Sequence, residues 1–400
     1  MSSEGAPAQL PRAVKLFGAV SLLNDCASEM IYPLLPAFVT GVLGGGAEAL
    51  GALDGAAELS SAVVKFAAGR LADRPGRRGP LVIMGYALAV LVRPVIALAG
   101  AAWQVIGLRI VDRMGQGLRT PPRDALIADV TPAALRGRAF GLHRGLDHAG
   151  AVLGPLIAWY LLAHQGADLR HVIAASIVPG VLVLILAVIA VRSTRGGSRT
   201  PEPASPVAPT PTNPRAKVHP ALFFISFFYL LRMPETLIIL RSQELGVAVA
   251  VVPLLWAAVH VIKSSSSFVG GGWSDRFGPE RTMWIGWLCY GMLSAGMALA
   301  TTAVHAWTLF LALGVVAGLT ESPERALVAR LAGGRQGSGF GVYHGVTGLA
   351  ALVGGIALGA VFQIRGATPA FIVSAVASGV LVAGWPLVTG RGTTSTKGAS

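Results

Sequence analysis

Twelve stretches of about 20 mostly apolar residues divide this chain, and nothing else in it constrains the fold as much. They lie near 15–41, 48–70, 80–99, 103–127, 138–163, 171–192, 218–241, 248–271, 282–302, 304–328, 338–362 and 369–389. A helix of about 20 residues, rising about 1.5 Å per residue, spans the roughly 30 Å of a bilayer's hydrocarbon core. The apolar residues come in long blocks rather than in 3.6-periodic stripes. Such helices are apolar all round, as lipid demands of a backbone that must satisfy its own hydrogen bonds. Composition agrees: 53% of the residues are hydrophobic, 13% are charged, and the mean hydropathy is +0.64. A soluble domain carries about 25% charged residues. The first run follows Arg12 and Lys15 as a signal peptide would. It is too long for one, contains Asp25 and Glu29, and leads into further spans, so it reads as a helix.

The net charge of +13 invites a nucleic-acid reading, and its distribution rejects it. Arginine and lysine cluster at the N-terminus, around 70–78, at 119–138, at 192–217, around 276–281, at 325–335 and at the C-terminus. If the helices alternate in direction, all these segments fall on one side. The opposite loops hold little: Glu48, Asp168 with Arg170, Arg241 with Glu244, His305 and Arg365. This positive-inside bias predicts an inner-membrane protein with both termini in the cytoplasm, whose basic residues meet anionic lipid headgroups. Cys26 and Cys289 both fall inside predicted helices, with no disulfide framework and no zinc spacing. No cofactor or metal is expected. The 51 glycines suit close helix contact where burial gives no driving force.

The segment 192–217, RSTRGGSRTPEPASPVAPTPTNPRAK, has no apolar period and predicts a disordered or polyproline-like linker. It separates a six-helix unit at 1–191 from another at 218–400. The two overlay. GRLADRPGRR at 69–78 matches GGWSDRFGPER at 271–281, so Gly69, Asp73, Arg74 and Gly76 fall on Gly271, Asp275, Arg276 and Gly278. GLRTPPRDALIAD at 117–129 matches GLTESPERALVAR at 318–330, and RAFGLHRG at 138–145 matches SGFGVYHG at 338–345. The matches keep their order with offsets of 200 to 202. Paired six-helix repeats predict an all-α carrier of two pseudo-symmetric bundles, with a central site opening alternately to each side.

The segment Gly69–Arg78 closely resembles the loop signature G-x-L-x-D-R-x-G-R-R/K of the major facilitator superfamily, with Arg77 as the first of its paired arginines. The second copy replaces that pair with Pro279 and Glu280. Arg113-x-x-Gln116-Gly117 resembles the family's fourth-helix motif, whose arginine sits near the translocation path. Gly150-x-x-x-Gly154-Pro155 resembles the fifth-helix motif of its proton-driven exporters, although Ala158 and Trp159 stand where further small residues belong. The resemblance covers essentially the whole chain outside the linker. It implies a twelve-helix secondary transporter, with gating at these loops, and proton-coupled efflux. It names no substrate.

An ionisable side chain inside a membrane costs roughly 3 kcal/mol or more, so each needs a partner, a cavity or a function. Asp25 and Glu29 share a face of the first helix, with Tyr32 one turn on and Pro33 and Pro36 able to bend it. They read as a cavity-lining proton site or as ion-pair partners of neighbouring arginines. Asp54, Glu58 and Lys65 form one stripe of the second helix. Glu58, near mid-membrane, is the better proton carrier, and Lys65 can snorkel to the surface. His260, aligned with Glu58 in the second half, is either a titrating partner for it or a histidine bonded to Ser264–Ser267.

Arg113 has motif support for the path. Asp112 projects away from it, towards another structural partner, and Arg109 either deepens the positive potential or lies near the outer surface. In the fifth helix Asp147 and His148 are candidates for proton coupling. With His143 and Arg144 they offer two ligand types per face, too few for a metal. In FYLLRMPETLIILR, at 228–241, Arg232 and Glu235 flank Pro234, which would free a carbonyl and bend the helix. Arg93, in the third helix, reads as structural. The pairs Arg123–Asp124 and Glu324–Arg325 have reversed order at matching positions, giving either a gate of ion pairs or two intrahelical pairs.

Together these residues predict a monomeric secondary carrier that moves a small organic solute by proton antiport. Proton symport of an organic anion is the alternative within the class. The rival class, a lipid-modifying membrane enzyme, lacks its usual signatures: no G-x-S-x-G, no H-E-x-x-H and no histidine–x4–aspartate occurs.

Overall fold

The computed structural model describes residues 9–72, 74, 76–132, 135–195, 220–332 and 336–389. Within them the chain forms twelve helical rods. The first, α1, is Arg12–Glu29, carried on by a 3-10 turn at Tyr32–Leu34, a single α-turn at Leu35–Ala37 and a π-turn at Phe38–Val42. There follow α2 (Ala47–Ala72), α3 (Arg78–Val95), α4 (Ala102–Val130), α5 (Arg136–His164) and a broken α6 (Leu169–Ala175 and Ile177–Arg195). The second half has a broken α7 (Pro220–Leu231 and Glu235–Glu244), then α8 (Val252–Phe277), α9 (Pro279–Leu299), α10 (Ala303–Ala332), α11 (Gln336–Arg365) and α12 (Ala367–Thr389). Residues 192–195 of the expected linker extend α6 instead, and 196–217 lie outside the described residues.

Nine helices among the described residues are apolar enough over an 18-residue window to cross a membrane by composition alone. The rods missing from that set are α1, α2 and α4. Each carries several charges along its length, Asp54, Glu58 and Lys65 in α2 and Arg109, Asp112 and Arg113 in α4 among them. Charged faces cannot meet lipid, so these three rods turn them inward. Lipid instead meets residues such as Leu91, Val178, Met292 and Val376, all exposed.

Packing repeats with an offset of six helices. In the first half α2 packs on α4, α3 on α4, α1 on α5 and on α6, and α3 on α6. In the second half α8 packs on α10, α9 on α10, α7 on α11 and on α12, and α9 on α12. The halves meet through α2 against α11 and through α5 against α8. Glycines set the closest approaches. A Cβ on Gly154 would strike the Cys26 carbonyl of α1, and one on Gly354 the Leu230 carbonyl of α7, the same crossing in each half. Gly150 likewise has no room for a side chain against Leu22. The fifth-helix motif is therefore explained locally by close packing of α5 on α1.

Proline breaks lie where the sequence expects them. In α7 the helix stops at Leu231 and restarts at Glu235, because Pro234 cannot donate a hydrogen bond. The orphaned groups are satisfied from neighbouring rods: Tyr290 Oη accepts from the Met233 amide at 2.7 Å, and Ser374 Oγ donates to the Leu231 carbonyl at 2.6 Å. Tyr290→Phe should destabilise the protein by about 1–3 kcal/mol, since it strands a buried amide. A lowered thermal midpoint in detergent is the expected readout, and an unchanged one would contradict this account of the break.

The end of the bundle carrying the basic loops is called the basic end below. Among the described residues, close contacts between the halves concentrate away from it. A Cβ on Gly51 would strike the Gly355 carbonyl, and one on Gly55 the backbone of Leu352. Gln363 Oε1 accepts from the Ala47 amide at 2.8 Å, and Thr236 Oγ1 donates to the Leu50 carbonyl at 3.3 Å. The halves are thus sealed at the end opposite the basic loops.

Candidate functional site

Between the halves lies a cavity of about 310 Å³. Its first-half wall is built by α1, α2 and α4, the rods whose charges kept them out of lipid. They contribute Glu29 and Tyr32, then Asp54, Glu58 and Lys65, then Arg109, Arg113 and Gln116. The second half contributes Tyr229 and the 232–235 break of α7, Trp256 and His260 of α8, and Ala351 of α11. The cavity runs from the sealed end at Tyr32 toward Lys65, which lies nearer the basic end.

Each break presents a residue to the cavity. Where α1 gives way to its 3-10 turn, Tyr32 swings inward and donates to Asp54 Oδ1 at 3.1 Å. Asp54 Oδ2 also accepts from Thr236 Oγ1 at 2.8 Å and from the Thr236 amide at 3.2 Å, so it ties α2 to the restarted α7. Glu29, the last residue of α1, accepts from Trp256 Nε1 at 2.9 Å across the interface. At the α7 break, Arg232 Nη2 lies 3.2 Å from Glu235 Oε1. Tyr32 and Trp256 pack with ring centroids 5.0 Å apart, giving the sealed end an aromatic lining.

The candidates from sequence divide. Glu29, Tyr32, Asp54, Glu58, Arg113, Arg232, Glu235 and His260 all line the cavity. Glu58 is exposed to it. His260 faces a different carboxylate from the one expected: its Nε2 is 3.9 Å from Glu29 Oε2. The serines after it bond back to backbone, Ser266 to Gly314 and Ser267 to Lys263. Superposing repeats by sequence pairs His260 with Glu58. Contact across the interface is instead set by how the bundles dock, which brings α8 to the end of α1.

Asp25, Asp147 and His148 do not line this cavity. Successive turns of a helix drift by about 40°, and this carries Asp25 off the Glu29 face toward α5. There a Cβ added to Gly150 would come within 3.1 Å of Asp25 Cβ, so the glycine lets α5 pack against Asp25. Asp147 accepts a hydrogen bond from Ser21 of α1, with His143 Nδ1 at 3.6 Å and Arg144 Nη1 at 3.7 Å. These groups form a polar seam inside the first bundle.

The proposed gate pairs also separate. Arg123 bonds Asp124 within α4 at 2.9 Å. Glu324 is buried and takes hydrogen bonds from Tyr343 Oη at 2.9 Å and Tyr229 Oη at 3.2 Å, while Arg325 lies 3.8 Å from Glu321. Neither pair bridges the halves in this conformation. Of the loop signature, Asp73 and the side chain of Asp275 lie outside the described residues. Gly76 adopts φ +72, a left-handed turn open to glycine, and Arg78 pairs with Asp129 of α4.

Sequence reasoning missed Trp256 and Tyr229, which are uncharged and stood out by no motif, and met Gln116 only as a member of the fourth-helix motif. It also missed Lys263, whose Nζ lies 2.6 Å from Glu321. Lys65, read as a snorkelling residue, faces the cavity. Arg109 is buried with its guanidinium 5.3 Å over the Tyr32 ring, and it lines the cavity near its sealed end.

The family model of the Major Facilitator Superfamily matches residues 17–239 and 223–399. The MFS-type transporter MJ1317 of Methanocaldococcus jannaschii is 27% identical over 362 residues, covering 89% of this chain and 90% of that protein. The quinolone resistance protein NorA of Staphylococcus aureus is 25% identical over 376 residues, covering 90% and 91%. Among solved structures, a peptide transporter POT aligns with a TM-score of 0.77 at 14% identity, covering 95% of each chain.

Proposed function

Because the chain belongs to the major facilitator superfamily, and is a membrane transporter rather than an enzyme, we propose that it exports a small organic solute in exchange for protons. The observation that carries this reading is the cavity itself, walled by both halves, sealed at one end, with the exposed carboxylate of Glu58 inside it. The positive-inside bias of the basic loops supports a reading with both termini and the basic end in the cytoplasm of an inner-membrane protein, and hence with the cavity facing the cytoplasm. Solute loads there onto a monomer. The bundles then rock about the α2–α11 and α5–α8 contacts, opening the sealed end. Likeness to a resistance protein supports efflux as the direction.

Glu58 has no hydrogen-bond or ion-pair partner at contact distance among the described residues, so its carboxylate is open to a ligand. Proton and solute compete for it, which is the requirement of antiport. Purified protein in liposomes with an acidic exterior and solute inside should show accelerated efflux. Glu58→Gln should cut gradient-driven flux at least about tenfold, because a fixed neutral group cannot exchange a proton. Flux that ignores an imposed pH gradient, with Glu58→Gln and Glu29→Gln unchanged, would sink the coupling. Acid-driven movement into the acceptor compartment along with protons would instead identify symport of an organic anion. The bond from Arg113 to a neutral group, Gln116 Oε1 at 2.8 Å, favours that second reading.

A further inference from the structure

We infer that the cavity takes a small zwitterionic molecule with a flat apolar body, its anionic group held by Arg113 and Lys65 and its cationic group by Glu58. The inference rests on the carrier reading above and names the substrate class of that site.

The geometry works by elimination among the lining charges. Glu29 is occupied by Trp256 and faced by His260, and Asp54 is occupied by Tyr32 and Thr236. Glu235 is held by Arg232. Arg109 is held by Asp112, which also takes Arg93, so it belongs to the first bundle's interior. Three charged groups remain uncommitted. Arg113 reaches only the amide of Gln116, with no carboxylate at ion-pair distance among the described residues. Lys65 and Glu58 have no hydrogen-bond or ion-pair partner there. All three project from α2 and α4 into the same cavity.

Uncommitted groups of both signs in a low-dielectric site select a ligand that supplies both countercharges. A purely anionic solute leaves Glu58 facing it, and a purely cationic one meets Lys65 and Arg113. Glu58 and Lys65 are seven residues apart, about 10 Å along the α2 axis. Charges at opposite ends of a rigid body fit that spacing better than the adjacent charges of an α-amino acid. The facing wall has no unpaired charge to offer: Tyr229 and Met233 present aromatic and thioether surface there, and Trp256 closes the sealed end beyond Glu58. A cationic group on Glu58 also displaces its proton, which links this ligand class to exchange.

The test is equilibrium binding to the purified full chain in detergent, without any gradient. The probes are a piperazinyl-naphthoic acid, its methyl ester and its N-acetyl derivative, which carry both charges, only the cation and only the anion. The parent acid should bind at least about tenfold more tightly than either derivative. Arg113→Gln should erase the preference over the ester, and Glu58→Gln the preference over the N-acetyl compound. Melting curves of both variants verify folding, and Lys65→Met gives a second reading of the anionic subsite. Equal or tighter binding of either derivative, or no binding of the parent at millimolar concentration, overturns the inference. If the parent binds as expected but liposome flux ignores the pH gradient, the coupling reading fails and the substrate class stands. If another solute is pumped by the gradient while the parent shows no preference, the reverse holds.

Discussion

Gly355→Val is expected to reduce flux at least about tenfold and to open the end of the transporter opposite the basic loops. A Cβ on Gly355 would strike the Gly51 carbonyl oxygen and come within 3.1 Å of the Gly51 carbonyl carbon. Both neighbours are backbone, so no rotamer change can relieve the clash. The rods must separate, which unseats the α2–α11 crossing on which the closed end depends. Overpacking of this kind costs about 1–3 kcal/mol. Applied to only one of two conformations, that is roughly a five- to 150-fold shift in their ratio. Leu50, fully buried beside this crossing, serves as reporter. With Cys26 and Cys289 replaced by serine, Leu50→Cys should resist a membrane-impermeant maleimide in the parent and react in Gly355→Val. Normal flux without labelling would show that the glycine contact is incidental to the seal.

The second large effect is on stability. Asp112 accepts from Arg93 Nε at 3.0 Å and from Arg109 Nη1 at 2.9 Å, and Arg93 Nη1 also donates to the Asn24 carbonyl at 3.0 Å. The three charged residues are 1–3% exposed, and the cluster stitches α3 to α4 and α1. Asp112→Asn leaves two buried guanidinium groups without their counter-ion. Removing one partner of a buried pair costs about 3–5 kcal/mol. The variant should therefore melt well below the parent or fail to accumulate in the membrane. Adding Arg93→Gln removes one of the stranded charges and should recover part of the loss. An Asp112→Asn protein that melts with the parent would mean that solvent reaches the cluster.

Much of the site's first-half wall was legible in the residues themselves. A carboxylate or guanidinium in an apolar run has few tolerable surroundings, so Glu29, Asp54, Glu58 and Arg113 announce a cavity. Pro234 likewise announces a break, and the structure supplies the Tyr290 and Ser374 groups that make the break tolerable. Asp25 and Asp147 show the limit of that logic. They are as charged as Glu29 and as deep, yet they face each other's helices across the α1–α5 crossing. Whether a buried charge meets water or another helix depends on a rotation of some tens of degrees, which composition does not encode. The second-half wall is less legible still, because Trp256 and Tyr229 are ordinary membrane residues until the bundles dock.

The twelve apolar runs by themselves determined that this is a membrane protein of helical rods, since no other regular backbone satisfies its hydrogen bonds within so short a stretch in lipid. Their repeat at offsets of 200 to 202 determined the two-bundle plan. Partnership across the interface was decided only by the tertiary structure: His260 with Glu29 rather than Glu58, Glu324 with two tyrosines rather than Arg325. The physical reason is that apolar periodicity fixes each helix against lipid, whereas the contacts between bundles depend on backbone approaches at Gly51, Gly55 and Gly355 that bring distant residues together.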